Sequence, residues 1–370
     1  MYFNFLFYLI FLFFSLGQIG RVSLLNGQVN FYLYEVLMMV FFLSLFFKFR
    51  FIPFTIYYKK LKIFFVLCLF MIFSFFVNSL KYNFLENLVA FLYLKRLFFY
   101  FSYFIYLFYW VKKERKTKVL FGGAFIFVLV TLFTSLMQYF FYPDLRNLFY
   151  LGWDPHLYRM FGVFFDTGVA GAVFGMILIF LYQAKINSYF KYFLIIIFLI
   201  FLVLTFSRSV YLGFLLTSFF ILFRQRKFKY LLVSIFLFGL LIFVVPKPNG
   251  EGVNLLRVFS INSRVKNYQQ AIDLWRGNWL IGIGYNHIRY GRESFRIGNA
   301  GASYHSSFLI ILVTGGVVGL VGWLGFLATL VRQNKKIASV ILFLSILSLF
   351  DNILLHPFVL FLLLSVIPLL

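Results

Sequence analysis

The chain has 370 residues, of which 63% are hydrophobic and 12% charged, more apolar surface than a water-soluble core of this size would hold, so a soluble domain is excluded. Its formal net charge of +24 would suggest nucleic acid in a soluble protein; here most basic residues sit in short segments between apolar runs, so the charge reports membrane topology, with no nucleic-acid partner implied. The single cysteine, Cys68, lies inside an apolar run; it permits no disulfide framework or thiolate metal site within the chain and reads as a small core hydrophobe.

In chain order the apolar runs lie near residues 2–16, 30–47, 62–79, 88–110, 118–140, 166–183, 188–206, 209–223, 230–246, 304–330, 337–350 and 354–369. Stretches such as 61–80 and 118–139 have the roughly 20 residues needed to cross about 30 Å of hydrocarbon as a helix. The pattern predicts an all-α polytopic membrane protein of about twelve transmembrane helices, a single transmembrane domain over residues 1–370. The first run lacks a basic leader and a small-residue cleavage site, so it is read as a span and not as a signal peptide. Many of the 25 tyrosines fall at run ends, where an amphipathic ring prefers the headgroup level.

Basic residues alternate between connectors. With a cytoplasmic N-terminus, one side holds Lys48, Arg50, Lys59, Lys60 and Lys62, then residues 112–118, Lys185, Arg224 to Lys229, and Arg332, Lys335 and Lys336, whereas the opposite connectors carry isolated charges such as Arg21 and Lys81. The positive-inside rule then places both termini in the cytoplasm. One connector, residues 247–303, falls on the outer side between the ninth and tenth runs and is long and basic, with Arg257, Arg264, Lys266, Arg276, Arg289, Arg292 and Arg296 against Glu251, Asp273 and Glu293. Long loops that keep structure are usually functional, and this one implies an anionic ligand. Within it, 263–280 has helical spacing, with Val265, Tyr268, Ala271, Ile272 and Trp275 on one stripe, and is expected to lie along the membrane surface; 282–284 reads as a turn and 286–302 as irregular loop.

Candidate chemistry gathers at the same outer face. Arg208, in Thr205-Phe-Ser-Arg-Ser-Val-Tyr-Leu212 between two apolar runs, is either a snorkelling arginine or a guanidinium held at a cavity mouth for an anion. A guanidinium suits phosphate because its planar fork donates parallel charge-assisted hydrogen bonds and never deprotonates. Arg264 opens the loop helix and is a second such group. His305, in Ser303-Tyr-His-Ser-Ser307 where the chain re-enters the membrane, is a candidate general base, and Gly315-Gly316 and Gly319 behind it allow close helix approach. Arg159, in Trp153-Asp-Pro-His-Leu-Tyr-Arg-Met-Phe-Gly162 with His156 and Asp166 nearby, is a third candidate phosphate contact. His287 and His356 are read as structural. No metal, nucleotide or dinucleotide motif is present, so no cofactor and no metal are expected.

Three blocks resemble the O-antigen ligase and O-antigen polymerase family of bacterial envelope glycosyltransferases: Ser207-Arg208-Ser-Val-Tyr-Leu212; Arg264 through Ile281-Gly-Ile-Gly284; and His305-Ser306 followed by Gly316-Val-Val-Gly319. The likeness covers about residues 200–330, with Arg159-Met-Phe-Gly162 as a looser upstream element. It departs at Trp279-Leu-Ile, where the family often has proline, and at Ser306, where it often has asparagine. The resemblance implies a GT-C-like membrane enzyme performing an inverting, metal-independent transfer of a glycan from undecaprenyl pyrophosphate. In a ligase the acceptor is a sugar hydroxyl of lipid A-core; in a polymerase it is another lipid-linked glycan. On this reading Arg208, Arg264 and Arg159 bind the pyrophosphate and His305 takes the acceptor's proton, so His305 must be neutral before attack. The partners are then the donor, the acceptor and membrane lipids. A transporter of an anionic lipid-linked substrate is the reading from another class; it predicts ionisable residues near mid-span, where the chain places few besides Lys95 and Arg96.

Overall fold

A computed structural model describes residues 2–25, 27–151, 153–184, 188–248, 252–255, 258–291 and 303–369. Their helices are α1 (Tyr2–Phe14), α2 (Leu33–Phe49), α3 (Ile52–Tyr58), α4 (Lys62–Ser79), α5 (Phe84–Glu114), α6 (Thr117–Phe141), α7 (Thr167–Gln183), α8 (Tyr189–Leu204), α9 (Arg208–Arg224), α10 (Phe228–Val244), α11 (Phe259–Arg276), α12 (Ile288–Gly291), α13 (Ser307–Gln333), α14 (Ala338–Phe350) and α15 (Pro357–Val366). Each of the twelve predicted apolar runs contains a helix. By length and composition, α4, α5, α6 and α13 each suffice to cross a bilayer alone, and α2 with α3 forms a pair bent by 87° that does so together. The helices α1, α7, α8 and α15 are apolar but shorter.

Three connectors differ from expectation. Residues 21–24 and 29–32 form an antiparallel hairpin, β1 (Arg21–Leu24) and β2 (Val29–Tyr32), so the second apolar run starts as strand. The basic connector after α2 contains α3, which starts with Pro53 in its first turn, a position where the missing N–H is not needed. In the long connector the helix α11 starts four residues earlier than predicted, and α12 occupies part of the stretch read as irregular. Arg257, Arg292 and Arg296 lie outside the described residues.

Packing centres on α7, whose residues from Thr167 to Ile179 are all buried. Its small residues let neighbours press against backbone: a Cβ on Gly171 would sit 2.4 Å from Val210 of α9, and one on Gly175 would sit 2.2 Å from the Phe343 ring of α14. Between helices in lipid there is little hydrophobic driving force, so close approach at small residues supplies the cohesion. Gly213 of α9 is pressed in the same way against Leu347 of α14. This triple contact sets the start of α9 beside the end of α14.

The charge that seemed most exceptional within a span, Arg96 of α5, is neutralised internally. Its Nε donates to Glu35 Oε1 at 2.6 Å and its Nη1 to the Asn30 carbonyl at 3.0 Å, while the Tyr100 hydroxyl donates to the same carboxylate and pairs with the Tyr34 hydroxyl at 2.6 Å. Glu35 also closes the first turn of α2 by accepting from the Tyr32 amide. Removing one member of such a pair leaves the other as an uncompensated buried charge. Arg96→Met is therefore expected to lower stability by about 3–5 kcal/mol, and Glu35→Gln in addition to recover much of it. Thermal unfolding in detergent tests this; equal losses in the single and double variants would refute the pairing.

Candidate functional site

The site lies where α9, α11 and α13 begin and α14 ends. Arg208 is the first residue of α9, after a tight corner at 205–207 in which Phe206 has φ +47°. Arg159 holds that corner. It is buried, and its Nε donates to the Thr205 carbonyl at 2.9 Å and its Nη2 to the Phe206 carbonyl at 3.2 Å; His156 Nδ1 lies 3.3 Å from Nη1. The Met160 amide donates to the Leu204 carbonyl, and Gln138 Oε1 accepts from the Phe161 and Gly162 amides. The segment around Arg159 is thus stapled between α6 and the α8–α9 corner, and its guanidinium is engaged by carbonyls there.

Arg264 and His305 are tied together through a break in α13. Gly316, with φ +62°, interrupts that helix, and the chain leaving α11 fills the gap. The Val317 amide donates to the Trp279 carbonyl at 2.9 Å, the Ile283 amide to the Val313 carbonyl at 2.9 Å, and the Gly284 amide to the Thr314 carbonyl at 3.0 Å. Ser74 Oγ donates to the Ile281 carbonyl at 2.8 Å, and Asn78 Nδ2 to the Gly282 carbonyl at 3.0 Å, so α4 joins the arrangement. Irregular backbone at membrane depth is tolerated only when protein satisfies its polar groups in this way. The contact requires glycine on both sides: a Cβ on Gly282 would lie 2.5 Å from the Thr314 carbonyl carbon, and one on Gly316 would lie 2.1 Å from the Leu280 oxygen. These glycines were legible in the sequence as turn and packing signals, but their mutual contact was not.

At the start of α13 the His305 amide donates to Asn267 Oδ1 of α11 at 2.8 Å, leaving the imidazole exposed. Ser306 caps the helix and donates to the Ser348 carbonyl at 2.8 Å; Ser307 Oγ reaches Asn352 Oδ1 at 3.1 Å. The turn after α14 is therefore the common anchor, and its central charge is Asp351, which the sequence reading did not single out. Arg264 Nη2 lies 2.9 and 3.1 Å from the two Asp351 oxygens, and Ser209 Oγ donates to Oδ2 at 3.0 Å. Surrounding protein pushes the Asp351 carboxyl above its ordinary range, with Arg264 pulling it back; Asp166 raises it further, and Ser209 and His305 lower it. Asp166 caps α7 by accepting from the Gly168 and Val169 amides at 2.6 and 2.9 Å. Asp154 is drawn into the same field: desolvation by the protein around its partly exposed side chain and the Asp166 charge raise its pKa, while His305 and Arg159 oppose. The available signal for Asp351 was an acidic residue interrupting the last long apolar stretch.

Arg208 and Arg264 share a cavity of about 400 Å³ with Ser209, Leu212, Ile261 and Tyr268. Arg208 Nη1 also donates to the Leu255 carbonyl at 3.2 Å. The predicted stripe on α11 divides: Val265 and Ile272 are exposed, while Ala271 is buried with Ile310 and Val313 of α13. The structure thus brings Arg208 and Arg264 to one cavity and ties the His305 backbone to α11 through Asn267, whereas Arg159 stands behind the α9 corner. Arg276 pairs with Asp273 on the surface, and Arg289 is buried in α12. His287 is buried between Phe75 and Tyr82, ring on ring at 4.2 Å with Tyr82, and burial pushes its imidazole down to about 4, as a structural histidine requires.

Two guanidinium groups in a cavity with apolar walls fit an amphiphilic anion, and an exposed histidine nearby fits proton transfer. Gly282→Ala is expected to separate α11 from α13 and to abolish activity along with the close contact at Gly316, because the Cβ meets backbone that cannot yield. Loss of thermal stability together with activity is the expected result; a stable, fully active variant would refute the coupling.

Residues 193–324 match the family model described as O-antigen ligase, so the resemblance drawn from the three sequence blocks holds; the match begins within α8 and ends within α13. No curated protein matches the chain.

Proposed function

We propose that this chain, a membrane protein with an O-antigen ligase family match at 193–324, is an inverting glycosyltransferase that moves a glycan from undecaprenyl pyrophosphate to a sugar hydroxyl of lipid A-core. It is a single transmembrane domain, 1–370, with the loop 247–303 inserted, both termini in the cytoplasm of the bacterial inner membrane and the active face in the periplasm. The observation that carries this reading is the shared cavity of Arg208 and Arg264, walled by apolar side chains, with α11 carrying both Arg264 and the Asn267 that accepts from the His305 amide.

In the reaction the acceptor hydroxyl attacks the anomeric carbon from the face opposite the pyrophosphate. The new glycosidic bond forms as the bond from that carbon to the pyrophosphate oxygen breaks, and the hydroxyl proton passes to the imidazole of His305. Charge grows on the leaving pyrophosphate, and Arg208 and Arg264 stabilise it, as preorganised cations do. Their combined charge removes the need for a metal. Before the donor enters, Asp351 holds Arg264 in place; the donor's phosphates then compete for that guanidinium. Arg159 contributes to pyrophosphate binding by holding the Thr205–Phe206 corner from which Arg208 projects.

The alternative, a polymerase, uses the same donor and would extend a second lipid-linked glycan. Purified protein supplied with a lipid-linked glycan donor and either acceptor, with EDTA present, separates the two. Product on lipid A-core, unaffected by EDTA and lost in His305→Ala, is the expected outcome. Chain lengthening on the carrier makes the protein a polymerase, and no transfer with either acceptor favours transport. Arg208→Lys keeps the charge but loses the bidentate fork; turnover is expected to fall by about tenfold or more, equivalent to roughly 1.4 kcal/mol. Full activity in that variant would remove Arg208 from pyrophosphate binding.

A further inference from the structure

A second cavity, of about 260 Å³, lies between α7, α8, α9 and α10, toward the end of α9 opposite Arg208. Ile195 and Leu199 line it from α8, Phe214, Ser218 and Ile221 from α9, and Leu237 from α10. Each of these three helices carries a cation on the lining face, nearer that end of the bundle. Lys191 precedes Ile195 by four residues, Arg224 follows Ile221 by three, and Lys229 precedes Leu237 by eight, spacings that return to the same side of a helix. Arg224 and Lys229 are exposed, and Lys191 donates to the Ala184 carbonyl at 2.6 Å. Tyr182 of α7, also in the lining, donates to Gln225 Oε1 at 2.9 Å and so ties α7 to the turn after α9 beside these cations. No acidic residue occurs between Asp166 and Glu251, so the four helices supply no carboxylate to the three cations. The basic ends of α2 and α5 differ: there Lys48 pairs with Glu114.

We propose that this cavity binds one anionic phospholipid, with an acyl chain among α8, α9 and α10 and its phosphate at Lys191, Arg224 and Lys229. The cations require an anionic head, because a zwitterionic lipid brings an ammonium to a cluster with no carboxylate to receive it. The lining requires a chain. From Lys191 to Leu199, and from Lys229 to Leu237, the cavity recedes by about 12 Å at about 1.5 Å per residue, close to the roughly 15 Å of hydrocarbon in one leaflet. A free inorganic anion satisfies the head alone and leaves the apolar walls bare. Arg224 and Arg208 are the two ends of α9, about 24 Å apart at about 1.5 Å per residue. The site is therefore separate from the Arg208 cavity and stands whether or not that cavity takes a glycan donor. A chain held between the α7–α8 pair and the α9–α10 pair adds dispersion contacts to both, so the bound lipid braces α9, the helix that presents Arg208.

The test is native mass spectrometry of the full chain released from a mild detergent, titrated with phosphatidylglycerol or phosphatidylcholine of the same acyl chains. One phosphatidylglycerol is expected to bind about tenfold more tightly than phosphatidylcholine, as attraction to clustered basic residues gives. Arg224→Gln together with Lys229→Gln should remove that preference. Lys59→Gln together with Lys60→Gln, the same charge loss in another basic connector, should keep it. Ser218→Trp fills the cavity while leaving every cation in place and should abolish the tightly bound lipid; Leu237→Trp, at a position 52% exposed, gives the same readout where the first variant does not fold. Equal affinity for the two lipids would overturn the proposal. Equal losses in the two charge pairs would reduce the effect to general surface attraction and overturn the site. Unchanged binding in the folded tryptophan variants would remove the acyl chain from the cavity.

Discussion

Hydrogen bonds between the 279–284 segment and the broken turn of α13 hold the remainder of the site in register. They replace the helical bonds lost at Gly316, and they do so with backbone from the end of α11. In hydrocarbon an unsatisfied amide or carbonyl costs several kcal/mol, so neither the break nor the inserted segment persists without the other. Because α11 carries Arg264 and Asn267 and α13 starts just after His305, this exchange of backbone bonds determines how far the candidate phosphate-binding cation stands from the candidate base. Ser74 and Asn78 of α4 complete it, which makes the packing of α4 on α13 part of the site's support.

A second constraint is electrostatic. Asp351, Asp166 and Asp154 form a field of carboxylates beside Arg264, Arg159 and His305. The ion pair of Arg264 with Asp351 keeps the guanidinium oriented and its charge compensated; a cation left alone there would be costly. Ser209 adds a hydrogen bond to the same carboxylate from the start of α9. The first two family-like blocks thus meet through a residue that belongs to neither of them.

The arginines divide by what they touch. Arg208 and Arg264 open into a cavity, whereas Arg159 spends its fork on the carbonyls of residues 205 and 206 and Arg96 spends its own on Glu35 and Asn30. One residue type therefore opens into a cavity, clamps backbone and neutralises an internal carboxylate within one helical bundle.

Hydrophobic runs alone determined that the chain is a helical membrane protein, because a spanning segment must satisfy its backbone internally and present apolar side chains over its length; all twelve runs contain a helix. The sequence also held Arg208, Arg264 and His305, since a charge or imidazole bordering an apolar run is costly enough to be noticed. It did not reveal that α2 turns into α3, that α11 faces α13 through Asn267 and Ala271, or that Arg159 points at backbone. Those follow from which helix faces meet, and a period of 3.6 residues states that a face exists without naming its partner. Asp351 shows the difference most clearly: in the sequence it is one acidic residue after an apolar stretch, and only the packing of α7, α9 and α14 around small residues brings it to Arg264 and Ser209.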